Sequence, residues 1–383
     1  MFSYGEVIRR MTELYDRLQD NQSQKIFWDR LACDVQPTAE RAFELYLDGI
    51  AVKEKEEILK SSQADIAETL AQLRREGKQV LLYGAGVCAG RVVQLLRNSG
   101  IEFDGFCDQR YRELKDYEGK PVFPPEYLFT NAEDCYISIT TIDHAQEIIQ
   151  FLRENQFPQD HILPYFRTDQ LKTVKKQYFE FPEFYPRGTA FVDGGCLDAK
   201  DSLYFAQWCE GKYSQIFAFE PDRLNQEKCK RTAEEYQIKE FHLISAGLSE
   251  KSGDAVVLRG GSGGSSRILG EGEEGIAGNA TEREQRKEQT RVTALDDIAG
   301  DTTIGFIKLD IEGFEMSALK GAEKTLLRDK PFLAVCVYHK PGDVLEIMDY
   351  LHTLVPDYRF WLRHYSAIQD ETVLYATVLS DSY

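Results

Sequence analysis

Phe191-Val192-Asp193-Gly194-Gly195-Cys196-Leu197-Asp198 is followed, after one helix-length segment, by Ile216-Phe217-Ala218-Phe219-Glu220-Pro221. The first stretch is an apolar strand running into a glycine turn, and the second is an apolar strand ending in a carboxylate. A strand, glycine turn, helix and acidic-ended strand in this order open a doubly wound nucleotide-binding sheet. The glycines let backbone approach a ligand, and Glu220 can accept both hydroxyls of a ribose.

The pattern continues downstream. Ile304–Asp310 is a strand, Glu315–Leu327 a helix, Phe332–Tyr338 a strand and Val344–Leu354 a helix. Tyr358–Leu362 and Thr372–Thr377 are two late strands. Asp193, Glu220 and Asp310 thus end successive parallel strands. Such carboxylates can cap the next helix, where the positive N-terminus favours them. Three in order favour a shared ligand site over capping alone.

Upstream, Val80–Tyr83, the turn Gly84-x-Gly86-x-x-x-Gly90 and an acidic strand end at Asp108 predict a first, smaller Rossmann-like α/β unit. Its glycine spacing is one residue longer than the dinucleotide form. It leaves open a nucleotide or nucleotide-sugar at Gly84–Gly90. Before it, Val7, Ile8, Met11, Leu14, Tyr15 and Leu18 follow helical spacing. The expected division is a helical segment over 1–76, an accessory Rossmann-like domain over 77–170 and the larger α/β domain over 171–383. Residues 259–290 break the alternation with a glycine–serine stretch and a mixed-charge run. They are expected to fold over an acceptor as a flexible excursion. The aromatic run Tyr178–Tyr185 offers either a stacking face for a sugar or, the blander reading, packing onto the sheet.

Composition bounds the ligand. The 383 residues carry 46 Lys and Arg against 64 Asp and Glu, a formal charge of −18, which repels nucleic acid and anionic membranes. No apolar run approaches the ~20 residues of a membrane span. Eight scattered cysteines without a CxxC pair, and no visible signal peptide, predict a reduced, cytoplasmic protein with no membrane insertion. Acidic residues around the glycine turn disfavour a pyrophosphate. S-adenosylmethionine fits: it has a ribose, an amine and a sulfonium, and no phosphate.

Further motifs occur in order: Ile307-Lys308-Leu309-Asp310-Ile311-Glu312-Gly313-Phe314-Glu315, then Leu319-Lys320-Gly321-Ala322, Tyr338-His339-Lys340-Pro341 and Arg363-His364-Tyr365-Ser366. With Val192-Asp193-Gly194-Gly195, Phe219-Glu220-Pro221 and Leu295-Asp296, they resemble the FkbM family of S-adenosylmethionine-dependent methyltransferases over roughly residues 178–378. The resemblance implies a class I methyltransferase domain with a seven-stranded, mostly parallel sheet. It also implies O-methylation of a hydroxyl on a sugar, glycan or glycosylated natural product.

Carried onto this chain, the resemblance sets Asp193 and Gly195 against the methionine part of the cofactor and Glu220 on its ribose. Ser245 and Ala246, after strand Phe241–Ile244, would lie near the adenine, and Asp310 beside the methyl group. His339 is the candidate base, with capping or a bond to Asp310 as the alternative. Lys308 and Asp310, two residues apart on one strand face, read as an ion pair under the site. Ala199 stands where the family often has glycine, which would tighten the cofactor turn. A divalent cation on Asp310, Glu312 and His339 is chemically admissible but not predicted. Oligomeric state stays open, a homo-oligomer included. Two rivals remain: an NAD(P)-dependent enzyme acting through Gly84–Gly90, and a non-catalytic nucleotide-sugar-binding protein.

Overall fold

The computed structural model describes residues 4–61, 63–141, 144–167, 177–259, 266–269 and 286–379. The chain divides into two compact units. One comprises Lys25–Val174 with His364–Thr372, and the other Met1–Gln24, Lys175–Arg363 and Val373–Tyr383.

In the first unit, β1 (Gln79–Tyr83), β2 (Gly105–Cys107), β3 (Asp116–Tyr117), β4 (Lys120–Phe123) and β5 (Cys135–Ile139) form one sheet in the order β3-β4-β2-β1-β5. The β1 strand pairs in parallel with β2 and β5, as expected of strands joined by helical crossovers. Its core gathers Val80 and Leu82 of β1, Val92 and Leu96 of the helix Val87–Asn98, and Phe43 and Tyr46 of the helix Ala39–Gly49. Much of the amphipathic N-terminal region therefore covers this sheet.

The second unit is built on β6 (Ala190–Gly194), β7 (Ile216–Phe219), β8 (Phe241–Ile244), β9 (Gly247–Leu248), β10 (Gly253–Arg259), β11 (Ser266–Leu269), β12 (Arg286–Thr293), β13 (Ile304–Leu309), β14 (Phe332–Cys336), β15 (Tyr358–His364) and β16 (Thr372–Val378). Seven of them make the main sheet, ordered β15-β16-β14-β13-β6-β7-β8. The pairs β14/β13, β13/β6, β6/β7 and β7/β8 are parallel, and β14/β16 is antiparallel. All residues of β6, β7, β13 and β14 are buried. That explains their continuous apolar runs, since helices cover a parallel sheet on both faces. The sequence enters at β6, builds outward through β7 and β8, and returns to β6's other side with β13. The carboxyl ends of β6, β7 and β13 meet at this reversal, where open α/β sheets bind ligands.

The aromatic run packs as core. Phe179 meets Phe191, Phe306 and Trp208, Phe184 meets Phe332, and Tyr185 meets Phe205, with ring centroids 5.2–6.4 Å apart. The N-terminal residues complete the same unit. Leu18 bridges Phe360 of β15, and Gln19 donates its N–H to the Phe360 carbonyl at 3.0 Å. Arg363 is bound by Asp20 at 2.7 Å and by Glu180 at 2.9 Å, and lies over the Phe181 ring, so it serves the sheet edge. His364 is buried with Nδ1 2.9 Å from the Thr372 hydroxyl.

The excursion at 259–290 contains strands. The four strands β11-β10-β12-β9 form a second sheet, with β10 antiparallel to both β11 and β12. Residues 260–265 and 270–285, and the expected cover over an acceptor with them, lie outside the described residues. Among the described residues no helix is long and apolar enough to cross a membrane.

Candidate active site

A cleft open to solvent lies over the carboxyl ends of β6, β7 and β13. Its floor is the glycine turn after β6. Gly195 has φ +76°, a left-handed backbone that favours glycine, and an added Cβ would overlap the Asp310 carbonyl oxygen. The turn is pinned from β7: Gly195 and Cys196 both donate their N–H groups to the Phe219 carbonyl at 3.1 Å.

Glu220 follows β7 and is 4% exposed. One carboxylate oxygen accepts the Leu197 N–H at 3.0 Å, and the other accepts the Asp222 N–H at 2.9 Å. Capping of the next helix falls instead to Asp222, whose Oδ1 accepts the Leu224 and Asn225 N–H groups. Glu220 thus lines the cleft while locked to both turns. Burial pushes its carboxyl up to about 7, against the lowering effect of those two N–H groups.

Asp193 is wholly buried below the cleft, outside its lining. Its Oδ1 is 3.1 Å from Lys308 Nζ, and its Oδ2 accepts the Ser202 hydroxyl at 2.7 Å. Lys308, 1% exposed, also reaches Asp201 at 3.1 Å and donates to the Gly195 carbonyl at 2.9 Å. The ion pair under the site joins Lys308 to Asp193 and Asp201 rather than to Asp310, the partner expected from their shared strand face. Burial disfavours the ammonium, but Asp193, Asp201 and Asp310 outweigh it and hold Lys308 firmly protonated. Burial raises Asp201 to about 6 despite Lys308.

Asp310, after β13, lines the cleft with Glu312. Its Oδ2 accepts the Tyr178 hydroxyl at 2.8 Å, and Lys308 and His339 keep it ionised against the cost of burial. His339 sits behind it, outside the lining, its side chain 7% exposed. Nδ1 lies 2.8 Å from Glu315 Oε1. Nε2 lies 3.5 Å from Asp310 Oδ1 and 3.7 Å from Glu312 Oε2. Burial alone would lower its pKa, but Glu315, Asp310 and Glu312 raise it to about 9. Glu315 is itself buried and accepts the Ile311 N–H at 2.9 Å, which shapes the loop carrying Glu312.

Ser245 is exposed and Ala246 buried. The cleft is lined one step further on, by Gly247 and Leu248, with Ile268 of β11. Ala199 does adopt a left-handed conformation (φ +60°), as a glycine position would, but it is buried beside the cleft and outside its lining. Neither Tyr178 nor Asp201 is marked as a site residue by the sequence, and Glu315 reads there only as a carboxylate opening a helix. Tyr178 lay inside a run whose composition suggested only packing, and nothing local marked Asp201 as facing Lys308.

Residues 194–362, which span all of these cleft elements except most of β6, match the Methyltransferase FkbM domain family. The chain carries an FkbM-family methyltransferase domain. Among solved structures it resembles the methyltransferase FkbM from Methylobacillus flagellatus KT at 19% identity, covering 93% of this chain and 99% of that one, with a TM-score of 0.48. It also resembles the O-methyltransferase TomG from Streptomyces achromogenes, solved with SAM, at 10% identity over 62% of this chain and 90% of that one (TM-score 0.33). An rRNA methylase from Streptococcus thermophilus matches at 15% identity over 52% of this chain and 92% of that one (TM-score 0.33). No curated protein matches the chain.

In the first unit, Gly84 has φ +113°, and the helix Val87–Asn98 follows the turn. Asp108 is engaged locally, accepting the Ala85 N–H at 2.8 Å and the Arg110 guanidinium at 3.1 Å.

Proposed function

We propose that the FkbM domain transfers the methyl group of S-adenosylmethionine to a hydroxyl of a sugar, glycan or glycosylated small molecule. The observation that carries this reading is Glu220. It is a buried carboxylate held by two backbone N–H groups at the end of β7, lining the cleft beside Gly195. A ribose diol donates two hydrogen bonds, and a carboxylate still has lone pairs to accept them. Among the described residues, Asp201, Glu220, Asp310 and Glu312 line the cleft against the single cation Lys308, which suits a sulfonium and an amine and repels a diphosphate.

Methyl transfer is an in-line displacement: the acceptor oxygen bonds the methyl carbon as the carbon–sulfur bond breaks, and the hydroxyl proton leaves. Most of the acceleration comes from positioning. In this reading Asp310, ionised and fixed by Tyr178, orients the acceptor hydroxyl and takes its proton. His339, behind it, acts as a positioning residue through Asp310.

Thermal unfolding of the wild type and Glu220→Ala with S-adenosylmethionine, S-adenosylhomocysteine, NAD and NADP tests the cofactor. A ligand at a hundred times its Kd adds about 2.7 kcal/mol. Stabilisation by the two adenosyl ligands, lost in Glu220→Ala, is expected. A shift with NAD or NADP alone would overturn the proposal.

A further inference from the structure

We propose that Ile268, on the inserted strand β11, walls the pocket that takes the adenine base of the cofactor, with Pro221, Gly247 and Leu248 completing the apolar surface. This rests on the S-adenosylmethionine reading, in which Glu220 holds the ribose. The cleft lining divides by chemistry. Asp201, Glu220, Lys308, Asp310 and Glu312 carry its charge, whereas Pro221, Gly247, Leu248 and Ile268 are apolar, beginning at the residue after Glu220. A ribose bound to Glu220 has an amino-acid arm on one side and a base on the other. The charged lining suits the arm, and the apolar lining suits a flat, uncharged purine.

Separate contacts tie the inserted sheet to this place. Its strand β9 is Gly247–Leu248 itself, paired in parallel with Val292 and Thr293 of β12. Thr290 of β12 donates its hydroxyl to the Pro221 carbonyl at 2.9 Å. Ile268 meets Gly247 so closely that an added Cβ there would overlap Ile268 Cδ1, while standing 3.7 Å from Pro221 Cβ. Register explains why the two inserted residues reach the same turn. Ile268 pairs with Val257, and Thr290 pairs with Ala255. Positions 255 and 257 are two apart on β10, so Ile268 and Thr290 project from one face of the sheet. That face is turned toward Pro221, at the end of β7.

Ile268 is 5% exposed, although it lies in a stretch dominated by glycine, serine and charged residues. A side chain already seated needs no ordering when the base enters, so the wall is preorganised. Glycine at 247 is what lets it approach: a side chain there would push Ile268 away from Pro221. The aliphatic methyl groups then pack against one face of the purine, a contact without direction that reads shape rather than hydrogen-bonding pattern. The inserted sheet thus acts on the cofactor side of the cleft through its described strands.

S-adenosylhomocysteine titrated calorimetrically into the full chain tests the wall, in wild type, Ile268→Ala, Thr290→Val and Val256→Ala. Ile268→Ala is expected to lower affinity about tenfold, through loss of most of one aliphatic side chain. Thr290→Val removes only the hydroxyl bound to Pro221 and is expected to lower affinity about threefold, which keeps the comparison decisive if Ile268→Ala fails to fold. Val256 pairs with Leu269 and faces the other side of the sheet, so Val256→Ala is expected to change affinity by less than about twofold. Saturation-transfer NMR with protein methyl groups irradiated adds a readout specific to the base. The signal on the adenine H2 and H8 protons is expected to fall in Ile268→Ala relative to that on the homocysteine methylene protons. Unchanged affinity in the folded Ile268 and Thr290 variants, unchanged adenine saturation, or an equal loss in Val256→Ala would overturn the wall and leave the cofactor reading standing. No binding to the wild type would remove the cofactor reading, and the wall with it.

Discussion

Lys308 Nζ lies 3.1 Å from Asp193 Oδ1, and the two residues are register partners on adjacent parallel strands. The pair is sealed from solvent and extended by Asp201 at 3.1 Å. Removing one partner of such a pair leaves an uncompensated buried charge. Lys308→Met is therefore expected to cost about 3–5 kcal/mol in urea unfolding. Lys308→Met combined with Asp193→Asn is expected to recover part of that loss. A single variant within about 1 kcal/mol of wild type would show that the ammonium is dispensable.

Gly195 and Gly211 both have left-handed φ, at +76° and +69°. They differ in what an added methyl would meet: the Asp310 carbonyl oxygen at Gly195, and open space at Gly211. Gly211→Ala is expected to lose only the backbone preference, about 1 kcal/mol. Gly195→Ala adds overpacking against backbone and is expected to cost about 2–5 kcal/mol and to abolish adenosyl-ligand binding. Equal unfolding midpoints for the two variants would contradict the close approach of β6 and β13 at the cleft floor.

Glu220 sets a pH dependence. Its carboxyl titrates near 7 in the folded chain against about 4.5 unfolded. Between these values the folded state holds the extra proton. This group's contribution to stability is therefore greatest below about 4.5, declines as pH rises, and is lost above about 7. A ribose diol favours the ionised form, so ligand binding releases the proton. The affinity for S-adenosylhomocysteine is expected to rise nearly tenfold per pH unit below 7 and to level off above it. Calorimetry from pH 5.5 to 8.5 checks this, with Glu220→Gln binding more weakly and without that rise. A parallel rise in Glu220→Gln would assign the titration to another group, with Asp201 the first candidate because it titrates near 6 in the same cleft.

The glycine turn, Glu220 and Asp310 were legible because a parallel sheet brings every strand's carboxyl end to one edge. Order along the chain therefore predicts convergence in space. Burial of β6, β7, β13 and β14 was legible for a related reason: apolar runs without alternation belong to strands covered on both faces. Partner choice among the charged side chains was not. Asp193 looked like a ligand-facing carboxylate, but its neighbour across the register is Lys308, far away in sequence. Helix capping was equally hidden, since Asp222 and Glu220 are two residues apart and only backbone geometry assigns one to the cap and the other to the cleft.

Sequence alone determined the α/β class, the acidic cleft at the strand ends and the FkbM resemblance. All of these depend on local periodicity and on motif order, which short-range chain geometry transmits directly. Tertiary structure decided that Tyr178 steadies Asp310 and that residues near the N-terminus pair with β15. It also turned the second ring nitrogen of His339 toward Asp310 and Glu312 rather than toward a helix end. These contacts join positions more than a hundred residues apart or depend on rotamers within a packed core. Side-chain identity permits many such pairings there, and close packing selects one.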